Sequence, residues 1–137
     1  MRLHRGRLFD HVHLRASDLD ASKRFYRAAI EACRPGVEIN EDQTHLQADE
    51  LWLDAIGDDD QPSRIHIAFQ VEDRATVERF YKAALAAGGR DNGRPGERSY
   101  HPGYYAAFVL DPDGNNIEAV YHGTSKRSAS SVVIEAG

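Results

Sequence analysis

Between positions 65 and 71, Ile65, Ile67, Phe69 and Val71 alternate with His66, Ala68 and Gln70. A period of two predicts a strand with one apolar face, and it places His66 on the other face. Beyond it the period changes. Phe80, Ala84 and Gly88 supply apolar or small positions at helical spacing, Asp73 stands where an N-cap is needed, and Gly88-Gly89 ends the run.

The same grammar occurs earlier in the chain. Arg24-Phe25-Tyr26 returns as Arg79-Phe80-Tyr81, a shift of 55 positions that also lays Val12 on Ile67, Asp18 on Asp73 and His11 on His66 without a gap. Val12 and Leu14 then occupy the apolar face of a first strand, leaving His11, His13 and Arg15 on the opposite face. Asp18 caps a helix that ends at Pro35-Gly36. Short strands are expected over 37–40, 44–48 and 51–56 in the first half, and over 89–94, 104–110 and 115–121 in the second. The prediction is an α+β chain of two βαβββ modules, about 8–56 and 65–122, joined by a polar linker at 57–64. In the tail, 123–137, Val132-Val133-Ile134 is expected to add an edge strand or to pack on a partner.

Composition narrows the function classes. With 137 residues there is room for one domain with a real core. A net charge of −5 with Lys and Arg scattered among acids gives no footprint for nucleic acid. No apolar run approaches a membrane span or the core of a signal peptide, so the cytoplasm is the expected location. Cys33 is the one cysteine, which excludes an internal disulfide and Cys-rich zinc motifs; any metal must be held by His and carboxylates.

Glu118 lies on the return strand after Asp111-Pro112-Asp113-Gly114-Asn115, a run with strong turn chemistry. Aligning the last strands of the two halves puts Asp54 on Glu118, a shift of 64. Each half therefore offers one histidine on its first strand and one carboxylate on its last. His11, His66 and Glu118, with Asp54 as a weaker fourth candidate, form a donor set for one divalent ion: Zn, Ni, Mn, Co or Fe(II). Candidates for substrate contact are His13 and Arg15 on the His11 face, Trp52 on the Asp54 face, and His101, Tyr104 and Tyr105 on or beside a long loop.

The markers Asp10-His11-Val12-His13-Leu14-Arg15-Ala16-Ser17-Asp18-Leu19, Ile65-His66-Ile67-Ala68-Phe69 and Asp111-Pro112-Asp113-Gly114-Asn115-Asn116-Ile117-Glu118 resemble the vicinal oxygen chelate superfamily, which includes glyoxalases, bleomycin-resistance proteins and extradiol dioxygenases. The resemblance covers about residues 8–122. It implies a U-shaped cup, often within a homodimer, with metal ligands at His11, His66 and Glu118 and a further carboxylate near Asp54. It implies a small-molecule substrate bound through adjacent oxygens, with Glu118 or Asp54 as general base, in lyase, isomerase or dioxygenase chemistry. The alternative within the superfamily is a metal-free protein that sequesters a drug or metabolite.

Overall fold

The computed structural model describes residues 8–129, 132 and 135–136. The chain runs β1 (Val12–Ala16), α1 (Leu19–Cys33), β2 (Asn40–Glu41), β3 (His45–Ala48), β4 (Leu51–Ala55), β5 (His66–Gln70), α2 (Arg74–Ala86), β6 (Arg90–Glu97), β7 (Tyr105–Leu110) and β8 (Asn116–Tyr121). Two four-stranded sheets result, ordered β1-β4-β3-β2 and β5-β8-β7-β6. In each, the first strand pairs parallel with the last, and the remaining neighbours are antiparallel.

Local chemistry accounts for the helix ends. The Asp18 carboxylate accepts from the Ala21 amide at 3.1 Å, and Asp73 accepts from Thr76 at 2.7 Å, each satisfying an N–H with no partner inside its helix. After α1 the chain turns at Gly36, at φ +83, and the Val37 amide bonds back to the Arg34 carbonyl. That turn holds 37–39 off the sheet, so β2 is a two-residue strand rather than the longer one expected over 37–40. Val37 and Ile39 pack on the core instead.

Strand alternation sorts the side chains. Leu14, Leu46, Leu53, Val109, Ile117 and Ala119 face the helices and are buried in one apolar cluster with Phe25, Tyr26, Ala29, Val77, Phe80 and Ala84. The two helices lie against each other, so the cores of the modules are continuous. Gly89 marks the tightest crossing. A Cβ there would meet Val109 at 2.4 Å, Phe25 at 2.7 Å and the Ala84 carbonyl at 2.8 Å. The opposite faces carry the polar candidates. No described helix is long and apolar enough to cross a membrane. Val132 is exposed and outside any strand, while Val133 and Ile134, expected to continue an edge strand, lie outside the described residues.

Candidate functional site

Glu118 sits in the middle of β8, on the face turned away from α2, and is only 2% exposed. Burying a carboxylate is costly unless its oxygens are bonded. Here both are. His66, on neighbouring β5, donates from Nε2 to Oε1 at 2.8 Å, and the Tyr104 hydroxyl donates to Oε2. The pairing of β5 with β8 sets this geometry: His66 lies opposite Asn116, and its side chain reaches the residue two further along the parallel neighbour. Burial, then the bond and charge of Glu118, push the Tyr104 phenol well above its ordinary range, so it remains a donor.

Around this trio the loop at 98–104 folds back. Arg98 donates its amide to the Tyr104 carbonyl at 2.9 Å, and Tyr104 donates its own to His101 at 3.2 Å. His101 Nδ1 donates to the Pro102 carbonyl at 2.9 Å, which leaves Nε2 to accept from His122 Nδ1 at 2.9 Å. Tyr104 packs edge-on against both imidazoles, at 5.3 and 5.2 Å between ring centres. Phe108, opposite Glu118 in the β7–β8 pair, lies 6.1 Å from the His66 ring.

The first module offers a second histidine–carboxylate pair, but a different one from the pair the repeat predicts. His13, not His11, donates to Asp54, at 2.6 Å, and the other Asp54 oxygen accepts from Trp52 Nε1 at 3.3 Å. Trp52 is stacked on His45, with centres 4.2 Å apart and planes at 10°. The strand register explains the change. In β1–β4, His13 pairs with Trp52 and Asp54 stands two further on, the same spacing as His66 to Glu118. Starting instead from His11, the equivalent position falls on Trp52. The 55-residue match of His11 with His66 and the 64-residue match of Asp54 with Glu118 therefore cannot both hold; they differ by two residues in register.

His11 itself precedes β1, is two-thirds exposed and donates to Asp10 at 2.6 Å. Among the described residues no group of three or more His, Cys, Asp or Glu side chains converges closely enough to hold a metal, so the chain alone brings together His66 and Glu118 but not His11. Arg15 is committed to the linker. Its guanidinium pairs with Asp60 at 2.5 Å, and its backbone N–H and carbonyl bond Ser63 at 2.9 and 3.0 Å. Tyr105 points to the helix side, where its hydroxyl donates to Glu78 at 3.0 Å and Arg74 covers its ring. His101 and Tyr104 belong to the site. Arg98, Phe108, His122 and His45 were missed; cross-strand position opposite Glu118 is the signal that points to Phe108.

A groove of about 600 Å³ between α1 and α2 is lined by Lys23, Arg24, Ala28, Ala83 and Ala87. It holds alanines and charges of both signs, including the Arg27–Glu41 ion pair, and no described histidine lines it.

The model of the Glyoxalase/Bleomycin resistance protein/Dioxygenase superfamily matches residues 8–119. The chain belongs to that superfamily. Solved members share its fold. A glyoxalase/bleomycin resistance protein from Albidiferax ferrireducens T118 is 24% identical with a TM-score of 0.68, over 82% of this chain and 97% of that one. A glyoxalase-related enzyme from Fulvimarina pelagi is 21% identical at 0.64, over 83% and 87%. A lactoylglutathione lyase from Agrobacterium tumefaciens is 20% identical at 0.58, over 84% and 93%. Identities this low establish the superfamily fold and no particular reaction. None of the curated proteins compared matches the chain.

Proposed function

We propose that this superfamily member is a metal-dependent enzyme acting on a small molecule through adjacent oxygens, with glyoxalase-like lyase or isomerase chemistry at Glu118. The observation that carries the reading is the buried Glu118 carboxylate, held between an imidazole Nε2 and a phenol.

The donors fit a divalent ion in kind. Imidazole nitrogen and carboxylate oxygen suit Zn, Ni, Mn, Co or Fe(II), and His66 Nε2 and Glu118 Oε1, 2.8 Å apart, already face each other. In number they supply two ligands. His11 is the third, contributed by a second copy of the chain in a homodimer, because the described residues of one copy bring only His66 and Glu118 together. Asp54, bonded to His13 and Trp52 in the first module, is not brought together with His66 and Glu118 among the described residues and is left out of the set.

When bound, the ion supplies Lewis-acid stabilisation of negative charge on substrate oxygens. The protein's own groups do the rest. Tyr104 holds one oxygen of the Glu118 carboxylate while the other faces His66 Nε2; released from that bond, it can accept a proton from substrate. Phe108 and Tyr104 pack beside the His66–Glu118 pair.

Calorimetric titration of Zn and Ni into protein purified without a nickel column tests the reading. His66→Ala abolishes binding, His11→Ala weakens it strongly, and His13→Ala leaves it nearly intact. Mixing His11→Ala with His66→Ala protein restores some sites if copies share them. Absence of any binding below about micromolar ends the enzyme reading and leaves the metal-free binder. That second reading draws on the lack of a three-donor group among the described residues.

A further inference from the structure

Arg98 is a half-buried guanidinium next to the candidate site, and no described carboxylate neutralises it. Its two contacts are weak in charge terms: NH1 donates to the Glu97 carbonyl at 3.2 Å and NH2 to the Arg94 carbonyl at 2.8 Å. The acid beside it in sequence is occupied elsewhere, since the Glu97 side chain accepts from Arg74 at 2.8 Å. A guanidinium has five N–H donors in a planar fork, so donors remain.

Where it is held matters. Its Cζ lies 5.3 Å from the centre of the Phe108 ring, on the strand face that carries Glu118. Two glycines make room for it. A Cβ on Gly93 would come within 3.2 Å of NH2, and one on Gly96 within 3.1 Å of NH1. The residues on this face thus combine a buried base, its imidazole and phenol partners, an aromatic floor and an uncompensated cation.

We propose that Arg98 is the docking group for a carboxylate on the substrate, holding it over Phe108 so that the reacting end of a small organic acid faces Glu118. This names the substrate class of the site assigned above and rests on that assignment. A planar fork over an aromatic floor matches the two coplanar oxygens of a carboxylate, and the pairing would be charge-assisted. Arg98 selects and orients the substrate; Glu118 acts on it.

The test uses sodium lactate and lactamide, which differ in charge but little in size, titrated separately into the metal-free full chain and followed by the Arg98 Nε–Hε and Phe108 ring signals in NMR. Lactate is expected to shift both saturably at millimolar concentrations, and lactamide to leave them unmoved. Arg98→Gln should weaken lactate by about tenfold or more, as loss of a charge-assisted pair implies, and Arg98→Lys less. Arg74→Gln, on the surface, should bind as the native chain does. Equal responses to the two compounds, undiminished lactate binding in Arg98→Gln, or no saturable response would overturn the proposal. If Arg98→Gln disturbs the whole spectrum, the lysine variant decides: lactate binding equal to native refutes a fork-specific role. Metal titration of Arg98→Gln should match the native chain, so failure of the metal reading and failure of this one register in different measurements.

Discussion

The Tyr26 hydroxyl donates to the Asp111 carboxylate at 2.5 Å, joining helix α1 of the first module to the β7–β8 turn of the second across 85 residues of chain. Both are buried. Asp111 also accepts from the amides of Asp113 and Asn115 and from the Asn115 side chain, at 2.8 to 2.9 Å. The turn that carries Glu118 into place is thereby pinned to the opposite half.

Tyr26→Phe keeps the ring and deletes this one bond. Because Asp111 retains three donors, the cost is that of a single hydrogen bond to a charged group, about 2 kcal/mol. Urea unfolding should show a lower midpoint with an unchanged slope; an unchanged midpoint would mean the contact does not stabilise the chain.

The same phenol makes the fold sensitive to alkali. Burial, with the charge and bond of Asp111, raises its folded pKa well above the ordinary phenol value. For a group raised on folding, the stabilisation is complete below the unfolded pKa, near 10, and declines as pH rises past it, since only the unfolded chain can then ionise. Stability measured across about pH 8 to 11 should fall more steeply in the native chain than in Tyr26→Phe. Tyr104, shifted the same way, accounts for part of the slope that remains.

Gly89→Ala should cost about 2 kcal/mol or more, the penalty of overpacking. The added methyl meets Val109, Phe25 and a backbone carbonyl at once, and the carbonyl belongs to α2 and cannot swing aside. Thermal melting of this variant beside Gly57→Ala, where only the exposed Asp60 side chain is near, separates packing from loss of backbone freedom.

Tyr104→Phe removes a donor to Glu118 without touching His66. Under the metal reading, a carboxylate that loses its outer partner binds the ion about ten- to a hundredfold less tightly. Calorimetry reads the change directly, and an unaltered affinity would show that Tyr104 does not orient the ligand.

Cys33 is partly buried and its thiol is pushed up to about 12 by burial, with Arg79 and Arg34 pulling weakly the other way. Almost no thiolate exists at pH 8. An aromatic disulfide reagent should therefore label the folded chain far more slowly than the chain in urea.

Features set by local rules were legible in the sequence. Asp18 and Asp73 cap the helices because a carboxylate three residues before an orphan amide is a short-range signal. Alternation around Ile65 and Ile117 gave the faces of β5 and β8, and with them the meeting of His66 and Glu118. What escaped depends on pairing between distant strands. Ungapped self-alignment set His11 beside His66, yet the β1–β4 register gave the Asp54 contact to His13. Arg15 shares the predicted face, but the linker folded onto it and took its charge through Asp60. Tyr105 was separated from Tyr104 by the pleat alone, one residue turning the ring to the helix side.

The offset of two between the modules has an evolutionary reading. A slide by one residue would turn every core side chain to solvent, whereas a slide by two preserves inside and outside while moving each polar group one row along the sheet. A duplicated half can thus change which residues meet at its rim without rebuilding its interior. One module thus holds a buried carboxylate against His66, while the other sets His13 and Asp54 beside Trp52.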